Sequence, residues 1–268
     1  MNVDKELAEI LRQIDDHEPA VVLKGLKALL QCLDTVDQTP LYRKIWAHVV
    51  YDALNKIIHS KDAEVVAQLG VALLRTLPVV EERDPNTFCD KLTKYDDVLK
   101  KILFTMDFSS SSAEKKEWLI HLEKFIEKMG HASMHWVDRI NSVLLGFASS
   151  GNCKEWVLIL KVVQALIKNT WMKPSLRDWV QIMVKILFNQ GVASALSAKT
   201  ETPDKAEMAE IYSNVQSCFQ LMSKCEDFPS LQSDLRHLVK TIEEHGKDNL
   251  YQTKLLEELD KCEIRTFL

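Results

Sequence analysis

Apolar residues recur at three- and four-residue steps along most of the chain, the spacing of helices that bury one side. The first run covers 4–16. Pro19 opens the next, where Val22, Leu26, Leu29, Leu30 and Leu33 share a face. Pro40 opens a third, with Ile45, Val49, Ala53, Leu54, Ile57 and Ile58 expected on one side. Asp62 reads as the N-cap of a helix over 63–77 that Pro78 ends, and Pro85 starts one running to about Phe108. Ser111-Ser112-Ala113-Glu114 reads as a capping box opening a helix that ends near Met129. Further helices are expected over 133–148, 153–170, 174–190, 203–226, 229–245 and 249–262, with 191–202 as a small, polar linker.

That makes about twelve helices, joined mostly by loops short enough for antiparallel neighbours. Paired starts at Pro19, Asp62, Ser111, Gly151 and Thr202 lie 43, 49, 40 and 51 residues apart. A period near 40–47 is that of HEAT or armadillo repeats. The expected fold is therefore an all-α, HEAT/armadillo-like α-solenoid: repeats over 1–190, the linker 191–202, and further helical repeats over 203–268 continuing the same stack. A compact irregular bundle is the structural alternative.

Composition agrees with helices. The chain has 268 residues, 46% of them apolar, with only seven glycines and seven prolines, too few for a turn-rich β-protein. No uncharged apolar run reaches the roughly 18 residues that a membrane span needs. The N-terminal MNVDKELAEILRQIDD is acidic and amphipathic, without the basic-then-apolar layout of a secretory signal. The six cysteines form no CxxC, and most lie inside apolar helical patterns, so they read as small core residues of a reducing compartment, cytoplasmic or also nuclear.

Charge is unevenly placed. Residues 139–199 carry a net +6, 200–268 a net −6 and 1–138 a net −5. Either the basic middle attracts the acidic end, or it meets an acidic partner. A nucleic-acid binder is more often basic as a whole.

The chain offers no catalytic constellation. It lacks GxSxG, P-loop and GxGxxG patterns, and its glycines are too scattered to cradle a phosphate. Glu127, His131 and His135 have helical metal-ligand spacing, but Gly130 interrupts them and no fourth ligand is evident. His48, His59, His121 and His245 are isolated. Adjacent pairs such as Asp15-Asp16 and Glu243-Glu244 diverge on a helix and read as solvated faces. Ser111 with Glu114 also has the form of an acidophilic kinase site within 109–112, though the capping box accounts for the same letters. No cofactor or metal is expected.

The most informative segment is the break between 153–170 and 174–190. Before it, Trp156, Ile159, Leu160, Val163, Leu166, Ile167 and Thr170 form the expected inward stripe. Lys154, Lys161 and Lys168, seven apart, line up on the outside. After it, Trp179, Ile182, Met183, Ile186 and Leu187 form the next stripe, with Arg177 and Lys185 off it. Trp171 and Lys173 stand in the turn. Trp171 could plug the gap between repeats or anchor a partner, and one amphipathic ring can do both. Lys161, Lys168, Trp171, Lys173 and Arg177 are the expected protein-binding residues.

The turn LIKNTWMKP resembles the Trp-Pro-Arg-type turn between late helices of the Tel-two-interacting protein two (Tti-two) family. VVLKGLKALLQCLD, YRKIWAHVVYDALNKIIHSKDAEVV and FTMDFSSSSAEKKEWLIHLEKFIEKMGHASMHWVDRINSVLLGF fit the same family in the same order, covering roughly 21–190. Met172-Lys173 departs from the pattern by separating Trp171 from Pro174, and no arginine directly follows that proline. The resemblance implies a HEAT-repeat subunit of the TTT complex, with Tel-two and Tti-one proteins as partners. That assembly acts as a co-chaperone, with the ninety-kilodalton heat-shock chaperone and its R2TP adaptors. It supports maturation of phosphatidylinositol-kinase-related kinases, which serve DNA-damage and nutrient signalling. No catalytic residue carries over. Two other readings stand beside it: a generic HEAT-repeat transport or trafficking adaptor, and a HEAT-like DNA glycosylase using the basic segment with Trp156, Trp171 and Trp179. The acidic chain argues against the last, because neutralised phosphates drive such binding.

Overall fold

The computed structural model describes residues 3–36, 42–82, 84–86, 91–170, 172–197, 205–230 and 232–233. Among these every regular element is helical, as expected for the all-α class. The helices are α1 (Val3–Ile14), α2 (Pro19–Val36), α3 (Ala47–Lys56), α4 (Ala63–Val80), α5 (Lys94–Phe108), α6 (Ser112–Met129), α7 (Val137–Ser150), α8 (Cys153–Asn169), α9 (Met172–Ser197) and α10 (Lys205–Met222). A π-helical turn, Tyr42–Trp46, leads into α3, and a 3-10 stretch, Gly130–Trp136, leads into α7. The last two expected helices lie almost wholly outside the described residues.

The chain divides into two compact units, 1–132 and 133–268. In the first, α1 pairs with α2, α3 with α4 and α5 with α6, while α2, α4 and α6 pack successively on one another. In the second, α7 pairs with α8, α7 packs on α9, and α8 packs on α10. Each unit is thus two-layered, with alternate helices in each layer, the packing of a helical solenoid.

Polar contacts give the register of these layers. Trp46 Nε1 donates to Asp4 Oδ1, 42 residues away, and Lys56 Nζ to Asp15 Oδ1, 41 away. Lys94–His48, Lys101–Asn55 and His59–Thr105 are each separated by 46 residues. In the second unit, Trp179–Asn141 and Asn189–Ala148 are separated by 38 and 41. Positions on both helices rise together in each set, so α1, α3 and α5 run parallel, as do α7 and α9. Helices two apart point the same way when successive hairpins stack. The offsets match the expected period.

Local signals place the helix starts. Asp62 accepts from the Glu64 and Val65 amides at 2.9 and 3.0 Å, and Asn152 and Glu155 cap each other reciprocally at 3.1 Å. Ser111 caps α6 through the Glu114 amide at 3.3 Å. The Glu114 carboxylate does not close the box directly. It accepts from the Ser109 hydroxyl at 2.6 Å, and that oxygen accepts the Ser111 amide at 3.0 Å.

Several expectations need correction. Pro78 does not end α4: the helix runs two residues further, to Val80, and the Glu81 amide still closes on Leu77 at 2.9 Å. Helix α5 begins at Lys94, not Pro85, because Asp96 accepts both the amide and the hydroxyl of Thr93 at 2.7 Å. The buried side of α3 is Ala47, Val50, Tyr51 and Leu54, with Ile58 buried just beyond its end, leaving Ile45 and Val49 exposed. Helix α9 continues through Gly191 to Ser197, so the expected linker begins as helix. One glycine costs a helix only about 1 kcal/mol, and Ala193, Ala195 and Leu196 favour continuation.

Helix α4 is the one described helix long and apolar enough to cross a membrane. Its apolar side, including Val66, Leu69, Leu73 and Leu77, is buried in the first unit, and α4 packs against α2, α3 and α6.

Candidate functional site

Helix α8 lies at the centre of the second unit. Its expected stripe is buried throughout, from Trp156 to Thr170, and Val157, Val162 and Ala165 are buried as well. So wide an apolar surface requires cover on several sides, which α7, α9 and α10 supply. The stripe of α9 is equally sound: Trp179, Ile182, Met183, Ile186 and Leu187 are all buried. Trp179 Nε1 donates to Asn141 Oδ1 at 3.1 Å, and Asn141 Nδ2 donates in turn to Asp178 at 3.4 Å.

The lysine line on α8 has a partner within the chain. Lys154 Nζ is 3.9 Å from Glu207, and Lys161 Nζ is 3.6 Å from Glu210, both carboxylates on α10. Beside them Gln164 donates to the carbonyl and side chain of Asn214 at 3.3 and 2.9 Å. These pairs rise together, so α10 runs parallel to α8. Apolar burial holds it there: Ile211, Val215, Cys218, Phe219 and Met222 are fully covered. Solvent-exposed ion pairs add little, typically under about 1 kcal/mol each. The basic middle and the beginning of the acidic end therefore attract one another.

This divides the expected binding residues. Lys161 is engaged by α10. Lys168 and Arg177 are exposed, without a partner among the described residues. Trp171 and the side chain of Lys173 lie outside the described residues. Lys173 holds a place in the first turn of α9, where Pro174 has no needed amide to lose.

Sequence reasoning missed a second surface, in the first unit. The exposed large apolar residues Ile45, Val49, Leu92, Phe104 and Phe108 lie on or just before α3 and α5. The rings of Phe104 and Phe108 sit 4.6 Å apart, and His59 meets Phe104 edge-on at 6.5 Å. An open cleft of about 510 Å³ adjoins them, lined by Asn55, His59, Asp97, Lys100, Lys101 and Phe104. A usable signal existed: Phe104 and Phe108, four apart, stand off the stripe formed by Tyr95, Val98, Leu99, Ile102, Leu103 and Met106.

No cluster of three or more metal-ligating side chains occurs among the described residues, so Glu127, His131 and His135 are not brought together as a ligand set. Cys32, Cys153, Cys218 and Cys225 are free thiols; Cys89 and Cys262 lie outside the described residues. Burial pushes the Cys218 thiol up to about 12 and raises those of Cys32 and Cys153, which keeps them protonated and poorly nucleophilic. His121 is buried, and its Nε2 donates to the Ala67 carbonyl at 3.0 Å. Burial lowers its pKa to about 4. His59 bonds Thr105 at 2.9 Å, and His245 lies outside the described residues.

The chain is similar to TELO2-interacting protein 2 from Homo sapiens, 20% identical over 222 residues, covering 79% of this chain and 42% of that protein. The Mus musculus protein of the same name is 22% identical over 229 residues, covering 84% of this chain and 44% of that protein. The chain therefore spans less than half the length of the curated relatives it matches. The family resemblance carried by the ordered motifs is found again in these relatives. No family model matches the chain, and no solved structure matches it.

Proposed function

We propose that this chain is a non-enzymatic adaptor that holds helical-repeat partners, as a subunit of a TTT-like co-chaperone assembly. Similarity to TELO2-interacting protein 2 across most of the chain supports this reading. The stacked, in-register hairpins supply its physical means: rigid layers with long outer faces. On this proposal the direct partners are Tel-two- and Tti-one-type proteins. The indirect ones are chaperone adaptors and phosphatidylinositol-kinase-related kinases, met in the cytoplasm and nucleus.

In the second unit the proposed partner-facing group is Lys168, Trp171, Lys173 and Arg177 around the α8–α9 turn. Lys161 contributes through its pairing with Glu210, which keeps that flank of α8 ordered. Exposed cations at a rim steer an acidic partner, and a tryptophan at the tip offers area to bury. The same pairing weakens the glycosylase reading, since Lys154 and Lys161 already meet carboxylates that a phosphate backbone would have to replace. The test is co-purification with Tti-one-type protein of the chain and of a variant in which Lys168, Lys173 and Arg177 become glutamate.

A further inference from the structure

The cleft between α3 and α5 belongs to neither the core nor the α8–α9 turn. Phe104 and Phe108 are 54% and 73% exposed, a large apolar area to leave in water. They stand off the buried stripe of α5, which runs through Val98, Leu99, Ile102, Leu103 and Met106. Each ring supports the other, so together they present a preformed ledge.

The polar wall beside that ledge is held in place. Lys101 Nζ donates to Asn55 Oδ1 at 2.9 Å and to the Asn55 carbonyl at 3.4 Å. An ammonium has three donors, so one remains for an outside acceptor. His59 is anchored through Nδ1 to Thr105 at 2.9 Å. Lys100 is exposed, with no ion pair among the described residues. Lys100 and Lys101 thus line the cleft beside one carboxylate, Asp97, all three on α5. This positive spot lies in a segment, 1–138, whose net charge is −5.

We infer that this cleft docks an acidic amphipathic helix of a partner protein. An apolar side chain of that helix packs on the Phe104–Phe108 ledge, and flanking carboxylates meet Lys100 and the remaining donor of Lys101. Apolar anchors of a helix laid into a groove supply the affinity in such docking, and charge supplies the selection. A basic helix would meet two like charges and gain only Asp97. The inference rests on the cleft alone and does not depend on the identity of the partner or on the co-chaperone reading.

The probe is a fluorescein-labelled helical peptide of about 18 residues, five turns long, with a leucine and phenylalanine stripe between glutamate flanks. Its counterpart carries lysine flanks. Anisotropy titration of the purified chain is expected to show binding of the acidic peptide and at least about tenfold weaker binding of the basic one. F104S/F108S and, separately, K100E should each weaken the acidic peptide by about tenfold or more while leaving the thermal unfolding midpoint in place. Equal binding of the two peptides, no binding of the acidic one, or unchanged binding by F104S/F108S overturns the inference. So does concentration-dependent dimerisation in sedimentation that F104S/F108S abolishes, because the ledge would then belong to a second copy of the chain. No Tti-one- or Tel-two-type protein enters the assay, so its failure leaves the adaptor proposal standing and its success does not establish that proposal.

Discussion

The imidazole of His121 occupies the space in which a β-carbon on Gly70 would stand. The ring cannot easily yield, because it is buried between α4 and α6 and donates to the Ala67 carbonyl at 3.0 Å. Glycine at position 70 is what lets the two helices approach this closely. G70A should therefore destabilise the chain by about 2–4 kcal/mol, despite alanine's better helix propensity. G70A/H121A should recover part of that loss. Equilibrium unfolding in urea measures both, and a neutral G70A would contradict the packing.

The same histidine makes stability depend on pH. Nε2 carries the proton that the Ala67 carbonyl accepts, and Nδ1 has no partner among the described residues. A second proton would sit on a buried nitrogen without an acceptor, so the folded pKa falls to about 4 from the ordinary 6.5. Below pH 6.5 the unfolded chain takes up a proton that the folded chain refuses. Stability from this group is complete above about pH 6.5 and is lost as pH falls toward 4, by roughly 3 kcal/mol in all. NMR titration of the His121 ring should show no protonation at pH 5.5. A midpoint near 6.5 would refute the assignment.

Helix α10 is held by apolar contact, and its ion pairs with α8 are secondary. Phe219 is fully buried, so F219A should cost about 3–5 kcal/mol. Lys161 and Glu210 are both partly exposed, so K161A should cost less than about 1 kcal/mol, and less still at high salt. Urea midpoints at low and high salt compare the two directly. A K161A loss as large as that of F219A would mean that charge, not burial, docks α10.

Gly130 has φ +55°, and a β-carbon there would collide with the Pro85 carbonyl, which also accepts the His131 amide at 2.9 Å. Gly130 ends α6 in a conformation that other residues enter only with strain. G130A should lower the unfolding midpoint substantially, by about 2 kcal/mol or more in stability. Retention of wild-type stability would show that the 84–86 segment moves aside at little cost.

These features differ in how far the sequence disclosed them. The buried stripe of helix α8 was legible, because from Trp156 to Thr170 it keeps one phase. Helix α3 was read out of phase. The π turn at Tyr42–Trp46 inserts a wider turn before it, burying Tyr42 and rotating Ile45 and Val49 outward. The spacing of Lys154, Lys161 and Lys168 correctly placed them on one line. That α10 would pair with two of them depends on contacts about 50 residues apart, which no local pattern encodes. Phe104 and Phe108 were not singled out, because hydropathy alone does not separate a buried stripe from an exposed ledge. The 46-residue register of His48, Asn55 and His59 with Lys94, Lys101 and Thr105 was present only as an approximate period in helix starts.

Charge reversal of Lys168, Lys173 and Arg177 should weaken association with a Tti-one-type partner by about tenfold or more and flatten or invert its dependence on salt, because salt then screens repulsion instead of attraction. The fold should be unaffected, since Lys168 and Arg177 are exposed. Unaltered binding through high salt would move the contact away from the α8–α9 turn.

The adaptor account is tested most directly by co-expressing this chain with Tti-one- and Tel-two-type proteins and weighing the purified species by native mass spectrometry. One complex containing all three chains in fixed ratio is the predicted result. Separate species, with this chain bound to neither protein at low salt, would contradict the account.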